Sequence, residues 1–76
     1  MRTIYADIAE KRKILRELYG GMMDTKALCK ELGGMDRHTV KEWARTKGIG
    51  VQVGKRIKYD TDEVAKVIVM ARGMHA

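Results

Sequence analysis

The chain contains no proline, a single cysteine, and few aromatic side chains among its 76 residues. Without proline no helix is interrupted from within, and with a moderate share of charged residues this argues for a folded, helix-rich domain over a disordered tail. One cysteine forms no internal disulfide, which points to a reducing, intracellular setting. The start lacks the continuous apolar segment of a signal peptide. The longest apolar stretch, around Val64 to Ala71, is interrupted by Lys66 and is far short of a membrane span. A chain this short makes one domain, with little room for a deep enzyme pocket.

Catalytic and metal chemistry are equally thin. His38 and His75 with Cys29 do not form a zinc set at any recognisable spacing. Cys29 lacks a partnering base and reads as core. There is no phosphate-binding glycine loop, no Walker lysine and no carboxylate pair with a plausible cleft. The expectation is a protein that is not an enzyme and needs no cofactor.

Charge is what the chain does have. Its formal excess is +6, and all of it lies between Arg37 and Lys58, where Arg37, Lys41, Arg45, Lys47, Lys55, Arg56 and Lys58 face one acid, Glu42. The flanks cancel. Charge gathered on one short stretch is a local electrostatic footprint, and its usual partner is a nucleic-acid backbone.

Periodicity divides the chain into a helix over residues 3–19, a short helix over 25–32, a third over 37–46, a hairpin over 51–59, and a last helix from about Thr61. In the first, Ile4, Ile8, Leu15, Leu18 and Tyr19 share a side. That stripe either enlarges a small core or pairs with another chain, and the first is the expectation. Gly20-Gly21 ends the helix. Asp24 or Thr25 caps the second helix and Asp36 the third. On the third, Thr39, Val40, Trp43 and Ala44 take one side, and Arg37, His38, Lys41 and Arg45 the other. Trp43 belongs to the core. Gly54-Lys55 reads as a tight turn between β-formers. Asp60 or Thr61 caps the last helix, whose apolar face is Val64, Val67, Ile68 and Ala71. Residues 73–76 are expected to fray.

Two short helices joined by a glycine-containing turn make a helix-turn-helix, whose second helix enters the DNA major groove. The basic hairpin then reads as a wing reaching an adjacent backbone or the minor groove. Three segments carry a resemblance to a known family: MDTKALCKELG (23–33), MDRHTVKEW (35–43) and VQVGKRIKYDTDEV (51–64). In this order they resemble the excisionase-type, MerR-like winged helix-turn-helix DNA-binding domain, over about 46 of the 76 residues. Asp36, Arg37, Thr39, Val40 and Trp43 fill the first part of that family's pattern; Val53, Gly54, Arg56, Tyr59 and Asp60 fill the second. Gly34 is an extra residue in the turn, and the N-terminal helix lies outside the minimal module.

The expected architecture is thus mostly α with a small β-hairpin: an N-terminal helix and glycine link (1–21), a winged helix-turn-helix (22–72) and a tail (73–76). The resemblance implies a small DNA-binding protein of a mobile element or prophage, bacterial or phage-encoded and cytoplasmic. Such excisionases bend DNA and steer a recombinase toward excision. The alternatives are a MerR-like transcription regulator and a protein-interaction adaptor for a recombinase. The partner is double-stranded DNA. A site-specific recombinase, or a second copy meeting it on DNA or through the N-terminal helix, is a further partner; a membrane is not. Candidate DNA contacts are Arg37, His38, Thr39, Lys41 and Arg45 on the recognition helix and Lys55, Arg56 and Lys58 on the wing. Arg37 is the best match to guanine, since its fork fits O6 and N7; Lys41 and Arg45 suit phosphates. Thr25 and Lys26 are candidate phosphate contacts at the start of the first motif helix, although Thr25 serves equally as a cap.

Overall fold

A computed structural model describes residues 4–73. It contains α1 (Ile4–Tyr19), β1 (Met22–Met23), α2 (Thr25–Glu31), α3 (Arg37–Thr46), β2 (Val51–Val53), β3 (Arg56–Asp60) and α4 (Thr61–Gly73). The fold is mostly helical, with four helices and one small antiparallel sheet in the order β1-β3-β2.

The helix ends follow from side-chain and glycine chemistry. Asp24 caps α2 by accepting from the Ala27 amide at 2.7 Å, and Asp36 caps α3 by accepting from Thr39 at 2.6 Å. Those amides would otherwise lack partners in the first turn. The bond from Thr39 also holds the Asp36 carboxyl below its ordinary pKa. At the other end of α2 the Gly34 amide donates to the Cys29 carbonyl and Gly33 to Lys30, the paired bonds of a Schellman cap. Gly33 and Gly34 both have positive φ, so the residue that looks extra in the sequence completes this cap. α3 closes in the same way, with Ile49 donating to Ala44 and Gly48 to Arg45.

The hairpin pairs Val51 with Lys58, Gln52 with Ile57 and Val53 with Arg56. Gly54 alone of the two turn residues has positive φ, at 63°, the pattern of a type II′ turn. The Gln52 side-chain amide donates to the Gly54 carbonyl at 2.8 Å and braces that turn. Where the chain enters the hairpin, Gly50 has φ of 119°, and a Cβ there would stand 3.2 Å from the Tyr59 ring. Only glycine fits both demands.

One strand is absent from the sequence reading. Met22 pairs with Asp60 and Met23 with Tyr59, making β3 central. Two residues give no alternation to detect. Their position is fixed instead by Thr61, fully buried, whose amide donates to the Gly21 carbonyl at 3.0 Å and whose hydroxyl donates to Gly20 at 2.7 Å. Thr61 therefore anchors the glycine link, and Asp60 does the capping, accepting from the Asp62 amide.

One core joins all four helices and the sheet: Leu15, Met23, Leu28, Val40, Ala44, Tyr59, Val64, Ala65 and Ile68, with Trp43 and Cys29 packed against it. The most extensive helix contact is α1 against α4, so α1 packs on the rest of the chain. Its buried stripe is narrower than expected. Leu15 is fully buried, but Leu18 is 62% exposed and Ile4 lies at the surface. α4 buries more than its periodicity suggests: Ala65 and Val69 join Val64 and Ile68, while Val67 and Ala71 are half-buried. It has α1 on one side and β3 on another. Of the tail expected to fray, Gly73 ends α4 and residues 74–76 lie outside the described residues.

Several polar links tie α1 to its neighbours, among them the ion pair of Lys11 with Glu31 at 3.6 Å. The Tyr19 hydroxyl donates to Glu31 at 2.6 Å, which with burial pushes its pKa up to about 12. Arg16 grips Asp62 with two bonds, of 2.8 and 2.9 Å, and this holds the Asp62 carboxyl below its ordinary range. A carboxylate whose pKa falls on folding stabilises the protein above its unfolded pKa of about 3.9. That contribution disappears as pH falls through the lowered folded value. In Arg16→Gln the Asp62 titration, followed by carboxyl NMR, is expected to return toward the ordinary range. An unchanged titration would mean that the pair does not persist in solution.

Candidate nucleic-acid interface

α3 turns Val40 and Ala44 into the core, and this orientation aims the rest of the helix. Arg37 and Lys41, one turn apart, lie on the flank beside the hairpin. Together with Lys55 and Arg56 of the hairpin and Asp24, Thr25 and Lys26 at the start of α2, they line one groove of about 350 Å³. Three segments distant in sequence thus bring five cations to one place. None of Lys26, Arg37, Lys41, Lys55 and Arg56 has an ion-pair partner among the described residues. Asp24 is the one acid lining the groove, and it is engaged in capping α2. The surface is left with a net positive field and an open shape suited to an extended anion.

Lys41 also borders an adjoining hollow of about 360 Å³, lined by Glu42, Arg45, Gln52, Ile57 and Tyr59 among others. Here Arg45 donates to Glu42 at 2.9 Å, and the guanidinium holds the Glu42 carboxyl below its ordinary pKa.

The remaining sequence candidates are placed differently. His38 is exposed on α3 but lines neither hollow. Thr39 is also exposed, at the edge of the apolar side on which its periodicity put it. Lys58 stands opposite Val51 in the hairpin and is half-buried. It lines neither hollow, which sets it apart from Arg37 and Lys41. Gln52 and Ile57 border the site without having been singled out in the sequence. The signal for both lay in the hairpin register, which puts them directly opposite each other.

A further hollow lies elsewhere. About 600 Å³ in volume, it is lined by Ala9, Arg12, Lys13, Arg16, Glu17 and Asp62. Its charges nearly balance, with Arg16 neutralised by Asp62, so it lacks the field of the α3–hairpin groove. Among the described residues no cluster of three or more potential metal ligands occurs, and no helix is long and apolar enough to cross a membrane. No family model matches the chain, and neither a curated protein nor a solved structure matches it.

Proposed function

We propose that the chain is a winged helix-turn-helix protein that binds double-stranded DNA. In this reading α2 and α3 form the motif, α3 enters the major groove, and the β2–β3 hairpin is the wing. The observation that carries it is the single groove shared by Arg37, Lys41, Lys55, Arg56 and Lys26. A cationic ridge on one side of the molecule with a charged hairpin on another would not fit one duplex; these two share a wall. The major groove, about 12 Å wide, admits one helix. With α3 seated there, Lys41, Lys55, Arg56 and Lys26 meet phosphates, which position the protein without reading sequence. Arg37, in the first turn of α3, is placed to reach a base edge, as N-terminal residues of recognition helices do.

The preferred biological role is an excisionase or recombination directionality factor, on the strength of the sequence resemblance. A small transcription regulator uses the same chemistry, and fold alone does not separate the two.

Two substitutions test the assignment. Arg37→Ala should weaken binding by about 1–3 kcal/mol and relax selectivity at one base position; Lys55→Ala should weaken binding across all sequences and lower the salt dependence by about one unit. Selection of bound sequences from random duplexes, followed by titration of both variants, reads these effects together. A uniform loss for Arg37→Ala would reassign that residue to the backbone. An adaptor role would instead leave DNA binding absent in every variant.

A further inference from the structure

Glu42 is the one acid among the basic residues between Arg37 and Lys58, and the fold gives it a particular direction. Val40 and Ala44 are fully buried beneath α3. Glu42 is two residues from each. At about 100° per residue, two steps either way turn the helix by about 200°, so Glu42 faces directly away from the core. When such a helix enters a groove with its core side outward, this side, which Glu42 shares with His38, is aimed at the groove floor, and Glu42 leans from it toward Arg45. Lys41, on the flank beside the hairpin, is aimed at a wall.

Walls and floor differ chemically. Phosphates line the walls and repel a carboxylate. The floor presents base edges, and the donors there are the N4 amine of cytosine and the N6 amine of adenine. Arg45 holds the Glu42 carboxylate at 2.9 Å with one guanidinium nitrogen. The guanidinium has five N–H donors, so most of them remain for another acceptor. Both side chains are well exposed, at 52% for Glu42 and 72% for Arg45.

We infer that Glu42 is a specificity-determining residue: its carboxylate accepts from the N4 amine of a cytosine, and Arg45, held beside it, donates to a neighbouring guanine. This rests on the DNA-binding reading above and adds a base preference to it. The carboxylate also acts by exclusion, because thymine O4 and guanine O6 present only acceptors at the corresponding place. Arg45 thereby moves from a phosphate contact to a base contact.

The test is selection from random duplexes with the full chain, the Glu42→Ala variant and the Glu42→Gln variant, followed by titration of each on the selected site and on its single-base variants. The wild-type chain should select cytosine at one position, with each other base there bound about tenfold more weakly. Glu42→Ala should lose the preference at that position and keep it elsewhere. Glu42→Gln should admit adenine, whose N6 and N7 suit an amide. Tighter binding of both variants on every sequence, with the base preference intact, would overturn the inference and reduce Glu42 to a local charge. Failure of the wild-type chain to bind any duplex would overturn the DNA-binding reading as well, so the two failures are distinct.

Discussion

Leu15→Ala is expected to lower the free energy of unfolding by about 3 kcal/mol, within the range of about 2–5 kcal/mol for emptying a fully buried leucine site. Leu15 has no exposed surface and sits in the same cluster as Leu28 of α2, Val40 of α3 and Val64 of α4. Domains hold roughly 0.05–0.15 kcal/mol per residue, so a chain of this size starts with about 4–11 kcal/mol. Losing about 3 kcal/mol removes a large part of that. Leu18→Ala is the matched control. It changes the same residue type on the same helix at a site 62% exposed, and its effect should stay within about 0.5 kcal/mol. Urea unfolding of the two variants makes the comparison. Equal, small losses would show that α1 is not part of the core, and that residues 22–72 fold without it.

The second large effect is on affinity. If about six phosphates are neutralised, the slope of log K against log salt is about −5. A fourfold rise in salt, from about 50 to about 200 mM, then lowers affinity by roughly a factor of a thousand. The structure supplies the cations for this in Lys26, Arg37, Lys41, Lys55 and Arg56. Their lack of ion-pair partners matters, because a cation already paired releases fewer counterions on binding. Fluorescence anisotropy of a short labelled duplex across a salt series reads the slope. A value near zero would exclude binding through the phosphate backbone.

The helices were legible in the sequence because their signals are local. Asp24 and Asp36 cap where expected, α3 matches its expected bounds, and the hairpin turns at Gly54-Lys55. What was not legible depends on long-range contacts. β1 exists because β3 and Thr61 hold it, not because Met22-Met23 favours a strand. The width of the apolar face of α4 reflects how many elements surround it. For the site, composition located the cations but not their directions. Arg37 and Lys41 share a groove with Lys55 and Arg56 because Val40 and Ala44 fix the roll of α3, whereas Lys58, two residues further along β3, lies outside that groove. Glu42 looked like a lone exception in a basic segment until the buried side of its helix was known.

The most direct measurement is an amide chemical-shift map of the protein titrated with a duplex recovered by selection. Expected are large shifts at Thr25 and Lys26, along the exposed side of α3, and at residues 54–57, with α1 and the body of α4 nearly still. Shifts concentrated on α1 and the hollow around Arg12 and Lys13, with α3 and the hairpin unmoved, would contradict the claim that these two elements form one duplex-binding face.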